Sequence, residues 1–363
     1  MPNISEIRTH PKTLLLATSM LILGWWLRSF SGPLNLLGEF FVYAVVAFSF
    51  GFFVYPQVVD AGRKWIRVTT DLTLSLLFAY VVFHEYSGIF YDDAGFILRY
   101  LDNFAKGCFY CYNLSDGAVF GTSSFIYGLL GGFLAWLGVK PELVLHGLGF
   151  TGLVADGYLL LLILRKLIRQ PGWSFVIWVT AISTSKTYLE VATSGMESPV
   201  HFALILAAFW FFLRGNARLM WLMMAVSVIS KLDAVPIVLV LGGLHLLRHR
   251  NEVREAGLES KTVKDVLIFG VIPVICWIVF ATWLFGSPLP QSAYAKIYFH
   301  SHPSDHWFPF LKHYTDGGIR YTMFCIFGMV VPLHIWINLR RQKGWQGWNE
   351  LAPGLCADPL LLL

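Results

Sequence analysis

The sequence predicts an all-α integral membrane protein, a polytopic bundle of about ten transmembrane helices with amphipathic helices in its first outer loop. Three observations predict this. Of 363 residues, 56% are hydrophobic and only 13% charged, against roughly 25% charged in soluble domains, so a water-soluble fold could not hide the apolar surface. Apolar runs of about 20 residues recur from end to end, each long enough to cross a hydrocarbon core of roughly 30 Å. Basic residues cluster in the short loops between those runs, so the net charge of +5 reports topology and not nucleic-acid binding.

In order, the runs are residues 14–28, 34–55, 70–90, 143–164, 175–189, 200–213, 219–230, 234–247, 266–284 and 321–339. Several are shorter than a full span, which is tolerated where a helix ends in a protein-lined cavity. The first follows Arg8 and Lys12 as a signal peptide would, but no small-residue cleavage site follows and Arg28 closes it. It reads as a retained helix. With ten crossings, the basic clusters around Arg8, Arg63, Arg165, Arg214, Arg248 and Arg340 all fall on one side, the cytoplasmic one. The apolar stretch 125–137 would break that pattern by crossing, so it reads as a helix lying at the outer surface. The outer side then receives residues 91–139, 193–199 and 286–318. Neither an internal repeat nor a low-complexity linker is visible. Residues 348–363 form a short tail whose closing leucines could begin another helix, as in a truncated chain.

Most of the candidate chemistry lies in the three outer stretches. Asp92 and Asp93 follow the third run behind an interfacial Tyr91. Adjacent carboxylates diverge in a regular element, so one can meet a substrate while the other orients it or binds a cation. The plain alternative is a solvated acidic helix end. Residues 94–107, AGFILRYLDNFAKG, put Phe96, Tyr100, Leu101 and Phe104 on one face, predicting a short amphipathic helix ended by glycine. Arg99 lies close enough to the carboxylates to pair with one.

Charges within or beside apolar runs are costly and draw functional hypotheses. They are Asp156, Lys186, Glu190, Lys231 and Asp233, with Glu197 in the second outer stretch. Lys186 and Glu190, four apart on a helix, can neutralise each other. Lys231 and Asp233 interrupt the hairpin between the seventh and eighth runs, where they either pair likewise or project into a shared cavity. Lys296 follows two prolines in GSPLPQSAYAK, where an exposed lysine beside aromatics suits a lipid phosphate. His300, His302 and His306, with His313 and Asp305 nearby, could ligate a divalent cation, although their spacing matches no standard zinc pattern. Cys108 and Cys111, in GCFYCY on the oxidising side, form either a small disulfide or nothing.

Five motifs in series, DDAGFILRYLDNFAKG, GTSSFIYGLL, SGMESPVHFALILAAFWFFLR, SKLDAVPIVLVL and FGSPLPQSAYAK, resemble the polyprenyl-phosphate-sugar-dependent GT-C glycosyltransferases. The resemblance covers roughly residues 91–296 and is closest to the bacterial arabinofuranosyltransferase and related mannosyltransferase group. It implies a multi-pass enzyme of the bacterial inner membrane. Such an enzyme transfers sugar from a polyprenyl-phosphate carrier to a glycan, lipid or protein acceptor at the outer face. By motif position, Asp92 is the general base with Asp93 as its neighbour, Glu197 lines the cavity, and Lys296 neutralises the departing phosphate. Arg99, Lys231 and Asp233 complete the substrate-binding set. The family presents its acidic loop after one span where three precede it here. Residues 1–68 thus read as a two-helix addition, 69–347 as the catalytic membrane domain and 348–363 as the tail. Lys231 replaces the family's arginine, which keeps the charge but loses the bidentate fork.

The chemistry is consistent with the residues. A carboxylate that takes the acceptor proton contributes about 10² to 10⁴-fold, and a phosphate leaving group needs positive charge and no proton. Two other readings remain open. A transporter or lipid flippase would use Asp156 and Lys186 along a path, although transporters usually carry repeats. A degenerate, non-catalytic transferase would tolerate loss of Asp92.

Overall fold

Helix α1 (Lys64–Tyr86) inverts the pattern of a water-soluble helix. Asp71, Ser75, Ala79 and Val82 recur on its buried face, whereas Trp65, Leu76, Leu77, Tyr80 and Val81 are exposed. Polar and small residues inside, with bulky apolar residues outside, suit a helix whose surroundings are hydrocarbon. The computed structural model that shows this describes residues 51, 55–56, 64–86, 92–168, 170–183 and 186–294. Run 14–28, nearly all of run 34–55, run 321–339, Lys296, the histidine-rich stretch and the tail lie outside the described residues, as do the side chains of Asp92 and Lys186.

The helices follow with short connections. They are α2 (Asp92–Ala105), α3 (Phe125–Trp136), α4 (Pro141–Leu167), α5 (Pro171–Ser183), α6 (Lys186–Thr193), α7 (Ser198–Arg214), α8 (Ala217–Ser230), α9 (Val235–Arg248), α10 (Arg250–Ala256), α11 (Lys261–Asp265) and α12 (Ile272–Phe285). No strand occurs among the described residues. A π-helical stretch, Val266–Val271, joins α11 to α12 into one 25-residue helix. Its surface is apolar, with Ile272, Ile275, Val279 and Trp283 exposed. Exposed apolar area on this scale marks a membrane-facing surface.

Among the described residues, three helices are long and apolar enough to cross a membrane: α1, α4 and the 25-residue helix. A fourth arises if α9 and α10, bent by 70°, are taken as one span. The 12-residue α3 would extend only about 18 Å and is too short to cross alone. α7 and α8 are apolar but also shorter than a full span. The protein is therefore a helical, membrane-associated chain. The expected count of ten crossings is met only in part among the described residues. Run 175–189 falls on α5 and α6, and residues 184 and 185 between them lie outside the described residues.

The chain divides into two compact units, residues 1–74 with 160–186 and residues 75–159 with 187–363. In the first, Asp71 is fully buried, with Arg165 Nη2 at 2.6 Å and the Tyr55 hydroxyl donating to its Oδ1 at 3.0 Å. The second contains the candidate site. There, glycines let backbones approach closely: a Cβ on Gly149 would lie 2.6 Å from the Ala192 carbonyl oxygen, and one on Gly152 would lie 2.8 Å from Val200 N. Small residues at such positions are how helices pack in lipid. This fixes α4 against the turn that precedes α7.

Candidate functional site

The turn after α6 needs Gly195, whose φ of +83° is left-handed. Met196 follows, and Glu197 stands immediately before α7, with Pro199 in the first helical turn. Glu197 is thereby turned inward, its side chain only 5% exposed. Lys231 ends α8 in an extended conformation and reaches back to it, with Nζ 2.8 Å from Glu197 Oε1. Lys231 Nζ also lies 3.5 Å from Asp233 Oδ2, and Asp233 remains 74% exposed. Burial works against the Lys231 ammonium, but the attractions of Glu197 and Asp233 outweigh it and hold its pKa above the ordinary lysine value. A nearly buried carboxylate, a partly buried lysine and a solvated carboxylate thus form one chain.

The segment 92–139 closes over this point. α2 and α3 pack together, with Leu101 against Gly131 and Phe104 against Gly132. The Tyr127 hydroxyl lies 3.1 Å from the Gly195 carbonyl and 3.2 Å from that of Leu145, which pins the Glu197 turn to α3 and α4. Burial, followed by the charge of Glu197, pushes the Tyr127 phenol far above its usual range. Tyr110, fully buried, is pushed up for the same reason, against a hydrogen bond with Thr122 that acts the other way.

The third stretch also returns here. Gln291 N, in the proline-rich segment after α12, donates to the Phe120 carbonyl at 2.7 Å. Phe285 stacks on Phe120 at 5.1 Å, and Trp277 meets Phe125 at 4.2 Å. Segments that the sequence separates by more than 150 residues therefore meet at the mouth of the first loop.

Of the residues expected to act together, Glu197, Lys231 and Asp233 do meet. Asp93 is exposed on the first turn of α2. Arg99 was expected to pair with Asp92 or Asp93; the side chain of Asp92 lies outside the described residues, and Asp93 is not its partner. Arg99 Nε donates to the Tyr112 carbonyl at 2.9 Å, its Nη2 to Asn113 Oδ1 at 2.5 Å, and its guanidinium lies 4.5 Å over the Tyr112 ring. Among the described residues it clamps the loop after α2 and does not hold Asp93. The reason is helical geometry. Arg99 is six residues from Asp93, nearer to the opposite face of α2 than to the same one.

Cys108 and Cys111 form a disulfide within the clamped loop. Asn103 Nδ2 donates to the carbonyls of Cys111 and Tyr112 at 3.1 and 2.8 Å, so the loop is held from both sides. Among the described residues, no group of three or more His, Cys, Asp or Glu is arranged to hold a metal.

Sequence reasoning missed His201 and Tyr127. His201 lies one turn beyond Glu197, buried, with Nδ1 lacking a hydrogen-bond partner. The four-residue spacing in MESPVH was the available signal. Tyr127 carried none, because a tyrosine on an apolar helix looks like packing. Asp156 was singled out as an intramembrane charge, and it accepts a hydrogen bond from Tyr188. No family model, curated protein or solved structure matches this chain.

Proposed function

We propose that this protein is a membrane glycosyltransferase that moves a sugar from a polyprenyl-phosphate donor to an acceptor hydroxyl on a glycan, lipid or protein, at the outer face of a bacterial inner membrane. The observation that supports this best is the meeting of the three predicted outer stretches around Glu197 and Lys231, through Tyr127 to Gly195 and Gln291 to Phe120.

In this reading Asp92 accepts the proton of the acceptor hydroxyl as its oxygen attacks the anomeric carbon, and the bond from that carbon to the phosphate oxygen breaks. The leaving phosphate carries the developing charge, which a cation stabilises. Lys231 is already engaged with Glu197 and Asp233, so that task falls to Lys296. Glu197, anchored by Lys231, shapes the wall of the site and does not itself act as the base. Asp93 is exposed beside Asp92 and can orient the acceptor or recruit a divalent cation.

The test uses the full chain, purified in detergent, with a panel of polyprenyl-phosphate sugars. The parent should transfer sugar, and Asp92→Asn should lose about 10² to 10⁴-fold in rate. Lys296→Ala should also slow the reaction. If both variants transfer as fast as the parent, the assignment of base and cation is wrong. If no donor is consumed but labelled lipid changes leaflet in reconstituted vesicles, the flippase reading replaces it.

A further inference from the structure

The opposite end of the same hairpin holds a site of different chemistry. α7 has 17 residues, so Arg214 lies about 25 Å along it from Glu197. There the ends of α7, α8, α9 and α11 surround a cavity of about 670 Å³, within the roughly 300 to 1,000 Å³ typical of ligand sites. Phe211, Phe212 and Met220 supply an apolar floor. Arg214, Arg218, Arg248 and Lys261 supply permanent positive charge, with His245 and His249 between them.

Two acids also line the cavity, and both are occupied. Asp265 Oδ1 lies 3.2 Å from Arg218 Nε. Glu252 accepts from Thr262 N and Oγ1 at 3.1 and 2.9 Å and from Ser260 Oγ at 3.2 Å, and His249 Nδ1 lies 3.5 Å from it. Four permanent cations against two engaged acids leave the cavity electropositive. A second, independent feature points the same way. His245 is only 6% exposed, and its Nε2 is shielded from water with no hydrogen-bond partner. A buried polar atom left unsatisfied is costly unless something arrives to bond it.

We propose that this cavity binds a phosphate-bearing anion, namely the headgroup of an anionic lipid whose chain lies on the Phe211 and Phe212 floor. The cations recognise the phosphate charge, and the floor recognises the amphiphile. The site lies on the side where the basic loops cluster, which the positive-inside rule assigns to the cytoplasm, the leaflet in which anionic headgroups attract such residues. It is independent of the transferase reading, because no residue proposed for that chemistry lines it.

The experiment measures binding of labelled phosphatidylglycerol to the full chain in neutral detergent. The comparison arms are phosphatidylcholine, inorganic phosphate, the double variant Arg214→Gln with Lys261→Gln, and the control Arg254→Gln, which removes an exposed charge outside the cavity. Saturable binding is expected, at least about tenfold weaker in the double variant and unchanged in the control. Size-exclusion profiles matching the parent verify that the double variant is folded. Competition by millimolar inorganic phosphate would show that the phosphate alone suffices, overturning the role of the floor. Failure of phosphate and phosphatidylcholine to compete would identify the anionic lipid as the ligand. Undiminished binding in the double variant, or none in the parent, overturns the proposal.

Discussion

The two ends of the α7–α8 hairpin are built from the same helices and solve opposite electrostatic problems. At the Glu197 end, opposite charges are brought inside and paired, with side-chain exposures of 5% for Glu197 and 21% for Lys231. At the Arg214 end, like charges surround an open cavity, and the acids present are already bonded. The paired end stays in place only through exact geometry, because unpaired charge there is expensive. The open end can tolerate loss of a charge, since water screens what remains. Structure-bearing charges therefore sit at one end and ligand-facing charges at the other.

The largest expected effect tests that asymmetry directly. Lys231→Met leaves Glu197 buried without its cation and should destabilise the protein by about 3 to 5 kcal/mol. Asp233→Asn, at an exposed position, should cost less than about 1 kcal/mol. Thermal unfolding in detergent reads both, and equal effects would break the comparison.

A smaller effect comes from behind the paired end. Gly152→Ala places a methyl against Pro199 and Val200 N, which should cost about 1 to 3 kcal/mol through displacement of the turn that carries Glu197. Gly243→Ala, in α9 with open space around its Cβ position, is the matched control and should leave the midpoint unchanged or raise it.

The smallest effect is in pH, and the two ends should respond in opposite directions. Lys231 has a raised pKa, burial being outweighed by Glu197 and Asp233. Its stabilising contribution is full below the ordinary lysine value and is lost as pH rises through the raised one. Glu252 has a lowered pKa because Thr262 N, and then the Thr262 hydroxyl, donate to its carboxylate. Its contribution is present above the ordinary glutamate value and is lost as pH falls through the lowered one. The stability gap between parent and Lys231→Met should therefore narrow in strong alkali, and that between parent and Glu252→Gln should vanish in acid. Gaps that do not change with pH would show that neither charge acts as described.

The sequence by itself determined the helices and several of their ends. The apolar spacing of residues 94–107 anticipated α2, and Gly107, at φ +87°, ends it as a helix-terminating glycine should. Runs 200–213 and 219–230 match α7 and α8 within two residues at each end, because hydrophobic length and local hydrogen bonding are written in consecutive positions. Lys231 and Asp233 were legible as a pair for the same reason, being two residues apart.

Tertiary structure decided what distant residues do with one another. Glu197 and Lys231 meet across 34 positions, and nothing in either local pattern specifies the partner. Arg99 was expected to pair with one of the carboxylates of Asp92 and Asp93, but the returning loop holds it at Tyr112 and Asn113 and not at Asp93. The cavity at the Arg214 end was equally invisible. Burial patterns record how a helix meets its surroundings, whereas the pairing of charges depends on which backbones approach, and glycines such as Gly149 and Gly152 set that approach only once the fold exists.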